Sequence, residues 1–483
     1  MDSKKELKIG LLYSFIGRYS NIIVSLVISS ILARLLSPKE FGTVAVINVF
    51  LVFFNNLADM GFGAGVIQKK EVDNKFISSV FYFTSFLGFV LSILFYLFSK
   101  YWIVFYYGNP IYEKLGLLVA LNLLLVSIGI VPRALINRKK MFKEFGVINL
   151  LSNLLSGVIS IILAYLGFSY YAIIFQGIVM NILVNIFIIL KLKFRLVFSF
   201  EIKYIKDIFG YSSYLFIFNF INYFARNLDN ILIGKYMGVV SLGFYDKAYK
   251  LMIFPLSALT GIVSSVLHPV FARYQDDREK IYREYLELIK ILSFLGIMIS
   301  NLAFFNAKEI ILILYGQNWL EVVPIFKILA CAIFIQVVLS TTGSIFLALG
   351  RSDKMFFSGL FYSGGLIVAI VLGIYRKDLK DLTIFLVIAF IFGYIAIYKV
   401  MLNIFKRSFI KFLFEFKYSY LTGIVLILVN IFILEKVIID NIFLSFVIKS
   451  MINIGITLGV MKYIYFKDKS IKEIIKIIKI IKN

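Results

Sequence analysis

Runs of eighteen or more residues with almost no charge recur along this chain, and nothing else constrains its fold as tightly. A backbone that enters hydrocarbon must satisfy its own N–H and C=O groups, which helices and closed barrels alone achieve. About 20 helical residues cross the apolar core of a bilayer. Bounded by charged or turn-forming stretches, the runs fall at 11–33, 41–65, 77–99, 115–132, 147–167, 169–190, 211–233, 248–270, 287–306, 324–349, 356–375, 382–402, 417–435 and 441–461. They predict an all-α polytopic membrane protein of about 14 transmembrane helices. Composition agrees: 61% of the 483 residues are hydrophobic and 16% charged, whereas a soluble domain has about 45–50% and 25%. What remains is short loops and tails, which excludes a large extramembrane catalytic domain, a secreted enzyme and a single-span receptor.

The net charge of +24 would suggest nucleic acid in a soluble protein, but its distribution points to topology. Alternate loops collect Lys69, Lys70 and Lys75, then Arg133, Arg138, Lys139 and Lys140, then Lys191, Lys193 and Arg195, then Arg273, Arg278 and Lys280. That side carries a roughly threefold excess of Lys and Arg, the positive-inside pattern. Both termini are therefore expected in the cytoplasm, with the excess charge attracted to anionic lipid headgroups and no nucleic-acid partner. Within the tail, Ile471, Ile474, Ile475, Ile478 and Ile481 share one helical face opposite Lys472, Lys476 and Lys479, as in an interfacial helix or a basic solubilising tail. The single Cys331 cannot form an intramolecular disulfide. His268 before Pro269 reads as packing, and no P-loop is present; no cofactor or metal is expected. The run Gly61-Phe-Gly-Ala-Gly65 follows a helix rather than a strand and reads as close helix packing.

A shift of 201 positions aligns the chain with itself: Ile31-Leu32 falls on Leu232-Ile233, Arg34 on Lys235, Ser37 on Gly238 and Gly42 on Gly243. Spans one to six and seven to twelve match in length and spacing. Six is even, so the halves share orientation, as in parallel repeats related by a pseudo-twofold axis along the membrane normal. The expected organisation is an N-lobe over 1–200, a C-lobe over 201–408, two further helices over 409–465 and a basic tail over 466–483.

Segments Ile31-Leu-Ala-Arg-Leu-Leu-Ser-Pro-Lys-Glu-Phe-Gly42, Leu57-Ala-Asp-Met-Gly-Phe-Gly63, Asp229-Asn-Ile-Leu-Ile-Gly-Lys-Tyr-Met-Gly238 and Ser241-Leu-Gly-Phe-Tyr245 carry a resemblance to a known family, joined by Leu314-Tyr-Gly316 and Phe346-Leu-Ala-Leu-Gly-Arg351. The chain resembles the polysaccharide transporter branch of the multidrug/oligosaccharidyl-lipid/polysaccharide exporter superfamily over nearly all of residues 10–405. The resemblance implies a flippase of the bacterial cytoplasmic membrane. It would move polyprenyl-diphosphate-linked oligosaccharide from the inner to the outer leaflet by alternating access, with a glycan polymerase as a downstream partner. The main rival is a cation-coupled multidrug or small-metabolite antiporter of the same superfamily. A glycosyltransferase or polymerase reading lacks a clustered acid-base set.

A lipid-linked sugar needs a wet, cationic groove, so polar residues inside spans are the candidates, since each is costly there. Ser14, Arg18, Asn21 and Ser25 share one face of span one, and Asn219, Asn222, Arg226 and Asp229 share one face of span seven. The repeat places these faces at equivalent positions, as expected of cavity lining or of helix-to-helix hydrogen bonding. Span two adds Asn48, Asn55 and Asp59. Arg18 and Arg226 are the expected ligands of the diphosphate, because a guanidinium fork suits phosphate oxygens. Asp59 is expected to pair with Arg18, and Asp59 and Asp229 are candidates for ion coupling or salt bridging. Tyr13, Tyr223 and Tyr249 could stack on sugars, and Pro255 should kink span eight.

Overall fold

The computed structural model describes residues 3–69, 71–193, 195–271, 274, 277–434 and 440–467, without the side chains of 3–15, 207–222, 225, 260–270, 461 and 464–467. Among the described residues there is helix and no strand. The chain forms two compact units, Met1–Gly243 and Phe244–Asn483.

The first unit contains α1 (Ser3–Leu35), α2 (Pro38–Asp59), α3 (Phe62–Gln68), α4 (Asn74–Phe98), α5 (Val104–Tyr107), α6 (Ile111–Ile128), α7 (Ile130–Arg138), α8 (Phe142–Tyr165), α9 (Tyr170–Leu192), α10 (Ile202–Tyr236) and the first turn of α11 (Val239–Phe271). Those of the second are α12 (Arg278–Phe305), α13 (Ala307–Leu314), α14 (Val322–Leu339), α15 (Thr342–Ala348), α16 (Ser352–Arg376), α17 (Leu379–Ile404), α18 (Phe409–Phe414), α19 (Lys417–Phe432) and α20 (Ile442–Lys467). Among the described residues, 11 helical segments are long and apolar enough to cross a membrane. The expected spans seven and eight coincide with α10 and α11, and span thirteen with the shorter α19. α11 runs as continuous helix through Pro255.

Large apolar side chains face outward on both units, among them Ile23, Phe86 and Ile162 on the first and Phe361, Val368 and Phe392 on the second. Exposure on that scale suits a lipid boundary rather than water. Inward, helices meet through small residues, the way membrane helices approach closely. A Cβ at Gly88 would lie 2.2 Å from Ser127 Cβ, and one at Gly157 2.1 Å from Ile28.

The start of α2 shows how the sequence enforces the fold locally. Pro38 occupies the first helical position, where its missing N–H costs nothing. Glu40 reaches back to accept from the Ser37 backbone N–H at 2.6 Å and from its hydroxyl at 2.8 Å. One turn later, a Cβ on Gly42 would sit 1.7 Å from the Val239 carbonyl oxygen, and one on Gly243 would sit 2.1 Å from the Pro38 carbonyl oxygen. The 201-residue shift takes Pro38 to Val239 and Gly42 to Gly243. Residues that the 201-residue shift pairs thus touch each other reciprocally at the starts of α2 and α11.

Candidate functional site

The polar residues of α1 and α2 find different environments. Arg18 is exposed on α1, whereas Asn21 and Ser25 turn toward α8, where the Asn153 amide donates to the side chains of both. Helix-to-helix hydrogen bonding therefore accounts for Asn21 and Ser25. Asn48 is half-buried, as is Asn55, whose Oδ1 is buried without a partner among the described residues.

Asp59 corrects one expectation. No Asp59–Arg18 ion pair forms among the described residues; Asp59 Oδ1 accepts from the Gly63 backbone N–H at 3.1 Å. The cause is local. Met60 and Gly61 adopt left-handed backbone, φ 39° and 83°, which turns the chain so that the first N–H groups of α3 lie under the carboxylate ending α2. At the opposite end of α3, the Arg138 guanidinium donates to the carbonyls of Val66 (3.1 Å), Ile67 (2.9 Å) and Lys69 (2.5 Å). A carboxylate at the N-terminus and a guanidinium at the C-terminus both complement the dipole of this short helix.

On α10, Arg226 is exposed and Asp229 is 4% exposed, its Oδ1 accepting from the Asn230 N–H at 2.8 Å. The side chains of Ser14, Asn219, Asn222, Tyr13 and His268 lie outside the described residues, as does the tail from 471. Tyr223 donates to the Val49 carbonyl, joining α10 to α2 beside Phe53 and Phe224. Tyr249 stacks on Tyr245 with centroids 5.6 Å apart.

The structure also places charged side chains among the helices at positions that the sequence did not mark. Arg133, counted above as a loop residue, lies inside α7 and donates through Nη2 to Asn181 Oδ1 of α9 at 2.6 Å. Asn181 in turn donates to Asn122 Oδ1 of α6 at 2.8 Å. The signal available was the trio of asparagines inside two apolar spans, with Asn181 and Asn185 one turn apart. In the second unit Lys247 is 2% exposed, its Nζ 4.8 Å from the Tyr315 ring centroid and 5.5 Å from that of Trp319. This cation–π box gives the Leu314-Tyr-Gly316 segment its role of holding the α13–α14 connection on α11. Among the described residues, none of Arg18, Arg133 and Arg226 has a carboxylate within ion-pair distance, and no metal-ligand cluster occurs.

Helices long and apolar enough to cross a membrane, with an outward hydrophobic surface, define a multi-pass helical membrane protein. More narrowly, the chain belongs to the Polysaccharide biosynthesis protein family, which it matches over residues 31–324. It is 25% identical over 413 residues to the teichuronic acid biosynthesis protein TuaB of Bacillus subtilis (strain 168), covering 83% of this chain and 84% of that one. To the lipopolysaccharide biosynthesis protein WzxC of Escherichia coli (strain K12) it is 24% identical over 382 residues, 77% of this chain and 76% of that one. Among solved structures it shares the fold of the lipid II flippase MurJ in an inward closed conformation, with TM-score 0.73, 19% identity and coverage of 94% of this chain and 99% of that one. It also shares the fold of an inward-facing MATE family multidrug transporter of the MOP superfamily, with TM-score 0.60, 15% identity and coverage of 80% and 96%.

Proposed function

We propose that this protein is a flippase that carries an anionic, polyprenyl-diphosphate-linked oligosaccharide from the inner to the outer leaflet of the bacterial cytoplasmic membrane by alternating access, not an enzyme. One observation carries the reading: the arginines at positions 18, 133 and 226 lie in helices of the first unit without carboxylate partners among the described residues. Uncompensated guanidinium groups suit phosphate and would repel the cationic cargo of a multidrug antiporter. The polysaccharide-biosynthesis relatives support the same cargo class. With both termini in the cytoplasm, Arg18 and Arg226 grip the diphosphate. The lobes of residues 1–200 and 201–408 do the moving, and a glycan polymerase receives the product outside. In a host depleted of the protein, Arg18→Ala and Arg226→Ala should each fail to restore surface glycan while wild type restores it. Normal glycan with both Arg226→Ala and Arg226→Lys would refute the Arg226 assignment.

A further inference from the structure

One long helix in each unit is broken, and the polar groups around the two breaks differ in charge. α6 gives way to α7 at Gly129, and α14 gives way to α15 at Ser340–Thr341. In each case a side chain from a later helix donates to a carbonyl just before the break. Asn185 Nδ2 of α9 reaches the Leu125 carbonyl at 2.7 Å, and Tyr398 Oη of α17 reaches the Val338 carbonyl at 3.0 Å. Donor and acceptor are each displaced by 213 positions between the two units.

What surrounds the two donors differs. In the second unit everything is neutral: Tyr285 Oη lies 2.9 Å from Tyr398 Oη and 3.0 Å from Thr341 Oγ1, all buried. A break in such a helix is therefore satisfied without charge. In the first unit the Arg133 guanidinium lies beside the break, bonded to the neutral amide of Asn181 and to no carboxylate among the described residues. Arg133 Nε is buried without a partner among the described residues, and so is Oδ1 of Asn185, a residue 5% exposed. Both atoms pack against the backbone at the break: a Cβ on Gly129 would lie 2.4 Å from Asn185 Oδ1 and 3.1 Å from Arg133 Nε, so only glycine lets the two polar groups come this close to it.

Snorkelling does not explain the placement. α7 ends at Arg138, five residues beyond Arg133, so the near interface is within easy reach of a long side chain. Instead the guanidinium leans toward the helix N-terminus and meets Asn181, eleven residues before the end of α9, about 16 Å along that helix.

We infer that Arg133, framed by Asn181, Asn185 and Gly129, is an anion-binding site that takes a phosphate or diphosphate group. Nε and the remaining guanidinium N–H groups donate to phosphate oxygens, and Asn185 Oδ1 accepts from a protonated phosphate oxygen. The site itself stands apart from the flippase reading; its assignment to the cargo headgroup rests on that reading, and free inorganic phosphate or pyrophosphate shares the chemistry.

The test uses the full chain in nanodiscs, following thermal unfolding while inorganic pyrophosphate is titrated against chloride at constant ionic strength. Wild type should show saturable stabilisation by pyrophosphate, weakened by about tenfold in Arg133→Gln. Arg133→Lys, which keeps the charge and loses the fork, should lie between them and decides the matter if the Gln variant does not fold. No saturable effect on wild type, or equal effects on wild type and the folded variants, would overturn the site. Competition by polyprenyl diphosphate, but not polyprenol, in the nanodisc would assign it to the cargo headgroup; pyrophosphate binding without that competition would assign it to a free anion. Arg133-dependent binding in a protein whose depletion leaves the glycan lipid's leaflet unchanged would keep the site and dismiss the flippase.

Discussion

A methyl group at position 42 would sit 1.7 Å from a backbone carbonyl oxygen, and backbone cannot step aside as a flexible side chain does. Gly42→Ala should therefore cost about 1–3 kcal/mol or more by overpacking, read as a lower unfolding temperature in detergent. Gly343 makes a matched control, since its added methyl meets nothing within 4 Å and should stabilise α15 by about 0.5–1 kcal/mol. A stable Gly42→Ala would contradict the reciprocal packing. The repeat made Gly42 and Gly243 legible as equivalents; that equivalents touch is a property of the folded chain. Asp59 shows the converse. Its position inside a span suggested a charged partner, but the turn at Met60–Gly61 delivered a backbone N–H first. Asp59→Asn, which can still accept that bond, should keep nearly full stability and transport, whereas Asp59→Ala should lose about 0.5–2 kcal/mol as a lost cap does. Loss of transport in a stable Asp59→Asn variant would instead make the charge itself functional.

At the scale of elements, apolar run length marked where helices lie but could not mark their interruptions. Expected span four ended at 132, so Arg133 read as loop, while the helix continues after Gly129 to Arg138 and carries Arg133 inside. Nor could hydropathy show how the last helices attach. Ser445, Lys449, Asn453 and Thr457 recur every fourth residue on α20 and face inward. Lys449 Nζ lies 2.6 Å from Glu309 Oε1 of α13, and Asn453 exchanges hydrogen bonds with Asn430 of α19. Lys449→Ala leaves the half-buried Glu309 carboxylate without its cation and should destabilise the protein by about 3–5 kcal/mol, with Lys449→Ala/Glu309→Gln recovering part of the loss in a double-mutant cycle. Burial pushes the Glu309 carboxyl up, but Lys449, its own backbone N–H and Ser445 outweigh burial and hold it below the usual value. A depressed folded-state pKa adds stability above the unfolded-state value, about 4.3, that is lost as pH falls through the lower folded value. Unfolding temperature should therefore drop below about pH 4, and Glu309→Gln should flatten that drop.

For the whole molecule, apolar run length made the helical membrane fold legible, because hydrocarbon leaves a chain few alternatives. The candidate site was legible only in part, since a polar face seen in sequence does not say whether it meets lipid, a neighbouring helix or a cavity; Asn21 and Ser25 proved to bind α8. An inside-negative potential favours export of an anion by about 2.3 kcal/mol per charge per 100 mV. Vesicles under an imposed potential, with no Na⁺ or H⁺ gradient, should therefore show flux, and no flux would mean that an ion gradient is required. The most direct measurement is a leaflet assay in the host depleted of this protein, asking which face of the cytoplasmic membrane holds the lipid-linked oligosaccharide. The flippase account predicts inner-leaflet accumulation and loss of surface glycan, both reversed by wild type. Unchanged leaflet distribution with normal surface glycan would contradict it.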